Sequence, residues 1–209
     1  MTRIYAIAAA ATIAILSVVI WLVSMGTGGA DKFAACRSSQ IAGGAGQIGG
    51  AFTLVDETGQ TVTDTQVIDQ PSLVYFGYTY CPDICPYDAA RNAQAVTLLE
   101  DDGYMVKPIF ITVDPERDTP QQLDDFTSYI HPRMVGLTGS MEQVQAASKA
   151  YRTYFKKQPT EEGEEDYYLV DHSTFTYLVF PEEGFVEFFR RDTTPEQMAE
   201  ATACFMDAR

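Results

Sequence analysis

Basic side chains are scarce in this chain of 209 residues: 14 Lys and Arg stand against 29 Asp and Glu, a net charge of −15. That balance argues against a nucleic-acid binder, because neutralising phosphates needs clustered cations, and equally against docking on anionic lipid through a basic patch. Histidine is scarcer still, with only His131 and His172. The seven methionines form no tract, which argues against a metal site built from thioethers. No internal repeat is evident. Apolar residues are not lacking: 46% hydrophobic and 12% aromatic side chains are enough for one core, and the length suits one domain plus an appendage.

The appendage is the first segment. Ile4 to Val23 is twenty residues without a charge. At a rise of ~1.5 Å per residue it makes about 30 Å of helix, the thickness of a hydrocarbon core. We therefore expect residues 1–25 to be a single transmembrane anchor. The competing reading is a cleaved leader, with Gly28-Gly29-Ala30 as the small-residue stretch, but its apolar region usually runs only ~7–15 residues. Cys36 lies too far past the run for a lipoprotein site, and Phe33 stands where an aliphatic residue belongs. Arg3 before the span and Lys32 and Arg37 after it leave the positive-inside count nearly balanced. Cysteine usage points to a domain outside the cytoplasmic membrane.

Residues 26–50 are rich in Gly, Ala and Ser and read as a tether. The domain expected over 51–209 opens with a hairpin, Ala51–Asp56 and Thr61–Thr65, around Glu57-Thr58-Gly59-Gln60. Leu73–Tyr78 is a continuous apolar run, as in a strand buried on both faces. A helix with Ala89, Ala93, Val96 and Leu99 on one face follows, then a second buried strand, Val106–Val113. Thr119–Ile130 reads as a helix capped at Thr119, Met134–Leu137 as a short strand, and Met141, Val144, Tyr151 and Phe155 as the stripe of a longer helix. Thr174–Phe180 and Phe185–Phe189 make a closing hairpin. Thr193 or Thr194 caps a last helix carrying Met198, Ala201 and Phe205 on one face. Strands alternating with helices, then a hairpin and a helix, predict an α/β thioredoxin-like sandwich with an N-terminal hairpin, preceded by the single transmembrane helix.

Tyr80-Cys81-Pro82-Asp83-Ile84-Cys85-Pro86 follows the first buried strand. A helix beginning at Pro82 would put Pro86 at its fifth position, where a missing N–H is costly. A start at Pro86 makes that proline the first helical residue. Cys85 then sits at the helix N-terminus, a place that lowers a thiol pKa and favours the thiolate. His172, in Val170-Asp171-His172-Ser173, enters the strand Thr174–Phe180. In a thioredoxin-like sheet that entrance lies beside the first helix, where thioredoxins usually carry a cis-proline, so the imidazole faces both thiols. Asp171 is expected as an acceptor behind the histidine or as an alternative ligand.

Three stretches, Cys81-Pro82-Asp83-Ile84-Cys85-Pro86, Val113-Asp114-Pro115-Glu116-Arg117-Asp118-Thr119-Pro120 and Asp171-His172-Ser173, resemble the signatures of the Sco (SenC) family. The resemblance covers roughly Ala51 to the C-terminus and, in outline, the anchor. It implies a membrane-anchored, thioredoxin-fold copper chaperone for cytochrome c oxidase assembly, in a bacterial inner membrane with its soluble domain in the periplasm. The family's copper ligands fall on Cys81, Cys85 and His172. Implied partners are the oxidase's copper-binding subunit and other copper chaperones. The chemistry agrees: two thiolates and an imidazole are a soft, three-coordinate set suited to Cu(I), with room for an exchanging ligand. Oxidation of Cys81 and Cys85 to a disulfide would remove both soft ligands.

Other readings of these residues are weaker or compete. A Cys81–Cys85 disulfide would close too small a loop to stabilise much, and structural zinc wants a fourth ligand that is not evident. With Cys81 and Cys85 as the functional pair, Cys36 and Cys204 remain as a possible disulfide 168 positions apart, the alternative being two free thiols. His131 reads as a loop residue without chemistry, Arg117 as a brace of its own loop. The acidic run Glu161 to Asp166 is a solvated loop or, alternatively, a docking lip for a basic partner. The competing function is a thiol–disulfide oxidoreductase that keeps the oxidase's copper-ligand cysteines reduced, with Cys81 and Cys85 as its catalytic dithiol. A peroxide-reducing enzyme and a sensor find less support, the latter for want of an output domain.

Overall fold

A computed structural model of the chain describes residues 2–26, 31–38, 48–160 and 167–209. The chain divides into two units, Met1–Ala35 and Cys36–Arg209. The first contains helix α1, Thr2–Gly26. Among the described residues no helix is long and apolar enough to cross a membrane. Along α1 side chains are described at Tyr5, Ile7 and 11–21, and all of them are exposed. Gly28-Gly29-Ala30 and the acidic run at 161–166 lie outside the described residues.

The second unit is built on a seven-stranded sheet in the order β2-β1-β5-β4-β3-β8-β9. Within it β3, Ser72–Gly77, is buried at all six positions as the apolar run predicts. β3 pairs in parallel with β4, Lys107–Thr112, and β4 in parallel with β5, Val135–Thr138. Parallel neighbours need crossovers, which α3 (Ile84–Asp101) and α4 (Pro120–Ile130) provide. The N-terminal hairpin of β1 (Thr53–Asp56) and β2 (Thr61–Thr63) adds one edge, and β8 (Thr176–Phe180) with β9 (Gly184–Phe189) the other. The expected second strand stops at Thr63, which caps the short helix α2, Asp64–Val67, through a capping box with Gln66.

Alternation along β3 sorts the core into two layers. Tyr75 packs near Phe110, whose ring meets Phe126 of α4 at 5.0 Å. Phe76 points the other way, to Tyr151 at 5.4 Å. Thr119, Ser140 and Thr194 each accept a hydrogen bond from the backbone N–H three residues on and are answered by the Gln at that position. They open α4, α5 (Met141–Ala150) and α6 (Pro195–Asp207). Helix α5 is shorter than its stripe suggests. Arg152 takes a left-handed conformation (φ 53°), and Thr153 N–H bonds back to Ser148 O at 2.9 Å. Tyr151 thereby fills the core beside Phe76 and Tyr177, while Phe155 passes into strand β6, Phe155–Lys157. Apolar spacing alone does not distinguish that break from a continuous helix.

Cys36 and Cys204 are joined by a disulfide. Beside it Arg37 bonds to Val186 O, and Ser38 N–H donates to the buried carboxylate of Glu187 at 3.1 Å. This end of the expected tether is therefore fixed to β9 and α6. In the chain-entropy picture so long a loop confers about 5 kcal/mol. Cys204→Ser is expected to lower the free energy of denaturant unfolding by about 2–5 kcal/mol under non-reducing conditions; an unchanged midpoint would show that the bridge carries no stability.

Candidate metal centre

Three segments meet at the C-terminal end of β3: the loop after that strand, the start of α3, and β7, Val170–His172, paired antiparallel with β6. Helix α3 begins at Ile84 with Asp83 as its N-cap, two residues before the expected start at Pro86. Proline is tolerated there because the first-turn N–H groups have no partner within the helix. Cys85 N–H turns back instead to Cys81 Sγ, at 3.3 Å. Cys85 Sγ lies 3.2 Å from His172 Nε2. The donor atoms of Cys81, Cys85 and His172 all fall within 4.8 Å of one another, and no fourth His, Cys, Asp or Glu joins them among the described residues.

His172 is oriented from behind. Its Nδ1 lies 2.9 Å from Ser173 O. A carbonyl only accepts, so Nδ1 carries the proton and Nε2 turns its lone pair to the sulfurs. The rings of Tyr75 and Tyr78 meet the imidazole edge-on at 6.2 and 5.8 Å. Asp171 does not serve as expected. Its neighbours along β7 alternate faces, and its carboxylate accepts from Gln158 Nε2 at 2.6 Å, away from the sulfurs.

The two thiols differ, in the reverse of the expected sense. Cys85 is fully buried, and its hydrogen bond to Cys81 together with desolvation pushes its pKa up. The thiol of Cys81 is pushed well below the ordinary thiol range, chiefly by the hydrogen bond from Cys85 and further by the backbone N–H groups of Cys85 and Asp83, against the cost of burial. Helix position alone misses this because it ignores which sulfur receives the hydrogen bonds.

Sequence reasoning also missed the groups that hold these segments. Asp118 is buried and accepts from Thr79 N (3.0 Å), Thr79 Oγ1 (2.6 Å) and Thr112 Oγ1 (2.6 Å). Burial raises its pKa, and those hydrogen bonds pull the other way. Tyr78 OH accepts from Val170 N–H at 3.3 Å, and burial first of all pushes its own pKa up to about 12. Arg117 pairs with Asp114 at 2.6 Å and stacks 3.6 Å from the Tyr168 ring, with Tyr80 at 4.9 Å, so the brace expected of its own loop extends to the loop after β3 and to the chain just before β7. Only the presence of Asp118 and Arg117 in the 113–120 run signalled them. His131 is buried at the end of α4, where its Nδ1 accepts from Arg133 N–H at 3.2 Å, a structural role away from the thiols.

A thioredoxin-like sheet carrying two thiols and one imidazole at the tip of β3 defines a class of protein with three soft donors able to hold a metal ion. The family model of SCO1/SenC matches residues 41–207, and the chain belongs to that family. It is 55% identical over 179 residues to Protein SenC of Rhodobacter capsulatus, covering 85% of this chain and 79% of that one. It is 43% identical over 164 residues to Protein sco1 of Schizosaccharomyces pombe, covering 78% of this chain but only 62% of that relative. Among solved structures, Arabidopsis thaliana ScoI with copper bound superposes with a TM-score of 0.71 at 38% identity, over 77% of this chain and 99% of that one. Yeast Sco1 with copper bound gives 0.72 at 36% identity, over 78% and 90%.

In reduced, metal-free protein, Cys81 is expected to alkylate with iodoacetamide at a rate that stays level from pH 8 down to pH 5, and Cys85 to remain unmodified. Peptide mapping by mass spectrometry reads both. A Cys81 rate falling tenfold per pH unit below 8 would show an ordinary thiol.

Proposed function

We propose that the protein is a membrane-tethered copper chaperone that carries Cu(I) on Cys81, Cys85 and His172 and delivers it to the binuclear copper site of cytochrome c oxidase during assembly. The convergence of two sulfurs and one correctly oriented imidazole within 4.8 Å carries the reading. Soft thiolates with a neutral imidazole suit Cu(I), and three donors leave a position for the receiving protein's ligand, so that copper leaves by exchange. Copper bound in the related Arabidopsis and yeast structures supports it. Copper here is cargo, and other copper chaperones are the donors this reading calls for. Binding is expected to release the protons of the thiols, so affinity falls toward acid pH.

The test is an anaerobic Cu(I) titration of the reduced chain against a competing chelator. The unaltered protein is expected to bind one equivalent, and His172→Ala and Cys85→Ala each to lose roughly a hundredfold or more in affinity, as loss of one soft ligand implies. Full affinity in His172→Ala would overturn delivery through this triad. A second reading, the oxidoreductase, is favoured by the contrast between Cys81, with its lowered pKa, and buried Cys85, whose sulfur lies within 4.8 Å, since disulfide exchange needs a thiolate and a resolving thiol but no imidazole ligand. Reduction of a disulfide in the oxidase's copper-binding domain at the same rate by His172→Ala would favour it.

The tethering belongs to the same proposal. Support comes from the sequence: the uncharged run Ile4–Val23 has twenty residues, which at ~1.5 Å each in a helix match the span of a bilayer core. The domain then faces the periplasm of a bacterial inner membrane, where the Cys36–Cys204 disulfide persists. The full chain is expected to stay with the membrane fraction through alkaline carbonate extraction and a chain lacking residues 1–25 to be released. Release of both would rule the anchor out.

A further inference from the structure

Helices α3 and α4 enclose a cavity of about 850 Å³, a volume in the range of small-molecule sites. We propose that it binds a neutral ligand, an aromatic ring bearing a carbonyl oxygen, with His131 as the hydrogen-bond donor. The hollow follows from residue size. Ala90, Ala93 and Thr97 recur along α3 at three- and four-residue spacing, so short side chains share the face turned to the cavity. Phe126 and Tyr129, three positions apart on α4, line the other side. None of the eleven lining residues is Asp, Glu, Lys or Arg, in a chain that is 21% charged. Such a wall offers an ion nothing in exchange for its hydration, which selects a neutral occupant. The rings of Phe126 and Tyr129 favour a flat aromatic one. Tyr129 lines the cavity while 91% exposed, so its ring stands at the mouth.

His131 supplies a directed polar contact. The residue is only 7% exposed, and it lines the cavity. Its Nδ1 accepts from Arg133 N–H, so the neutral ring carries its proton on Nε2. Burial lowers its pKa, which keeps the ring neutral at pH 7. Glu100 Oε1 lies 3.8 Å from Nε2, beyond hydrogen-bond distance, and is held by Arg133 Nε at 2.7 Å. A buried N–H without an acceptor is costly, and a carbonyl oxygen in the cavity satisfies it. Thr97 does not compete, because its hydroxyl donates to Ala93 O at 3.1 Å. The far end of the cavity, at Thr79 and Pro86, adjoins the segments that bear the thiols. Neither sulfur lines it, and the metal centre is a separate site.

The test uses benzophenone, itself a neutral aryl ketone, as a photolabel on the full chain in detergent, with insertion sites mapped by mass spectrometry. Labelling is expected on the stretches of α3 and α4 that line the cavity. It should fall roughly tenfold or more in Ala90→Trp, whose indole fills the space. Acetylnaphthalene is expected to compete at a free concentration roughly tenfold lower than ethylnaphthalene, which keeps the ring and lacks the carbonyl. Naphthoate, the anion on the same ring, should not compete. Partition of each competitor into detergent is measured separately and subtracted. In His131→Phe the ketone should lose its advantage over the hydrocarbon. Labelling undiminished in a folded Ala90→Trp would overturn the inference, as would equal competition by ketone and hydrocarbon on the unaltered chain. Naphthoate competing as well as the ketone would do the same. If circular dichroism shows a variant unfolded, the competition on the unaltered chain decides alone. A dimer in sedimentation velocity that Ala90→Trp dissociates would assign the cavity to a second copy and overturn the ligand.

Discussion

The buried carboxylate of Asp118 is the constraint on which the site depends. Three hydrogen bonds fix it to Thr79 and Thr112, so the turn that carries Cys81 is hung from the end of β4 as well as from β3. A loop of this kind otherwise has only its own backbone to hold it, and a donor displaced by an ångström no longer meets its fellows. The ring of Tyr168 against Arg117 and the hydroxyl of Tyr78 on Val170 N–H extend the same restraint to β7 and so to His172. Of the three donors only Cys81 sits on irregular chain, and its placement relative to α3 and β7 comes from the buried polar groups behind it.

The same burial sets the two sulfurs apart. Cys85, closed off from solvent, gives its hydrogen-bonding capacity to Cys81, which keeps some access and takes up the negative charge. Desolvation opposes charge at both positions, so the difference arises chiefly from the hydrogen bond that Cys85 gives to Cys81, with the N–H groups of Cys85 and Asp83 adding to it. A site arranged in this way holds one ready nucleophile and one sulfur in reserve, the property shared by metal capture and disulfide exchange, and His172 is what distinguishes the two.

Much of this was readable in the chain. The buried run of β3, the hairpins and the caps at Thr119 and Thr194 follow from local patterns that tertiary contacts did not overrule. The triad was readable because the donors are rare residue types in motifs that stand in order. What was hidden depended on direction. The start of α3 at Ile84, the turn of Asp171 toward Gln158, and the end of α5 at Ala150 are each decided by where one hydrogen bond or one ring goes, and spacing does not encode that. The Cys36–Cys204 bridge was one pairing among open alternatives, and only the approach of the two Cα atoms to 5.8 Å resolves it.

That bridge also governs how far the domain can search. For a chain anchored as proposed, the free length begins at residue 26 and ends where the backbone is first fastened to the domain. Fastening at Cys36 leaves ten residues, a reach of about 35 Å at full extension, against about 85 Å if the chain were free as far as residue 51. The volume accessible to the thiols differs by roughly tenfold between the two, and with it the local concentration at which they meet a neighbour in the same membrane. In a chain so anchored the oxidised bridge would shorten the leash, and its reduction would let the thiols range over a wider and more dilute space.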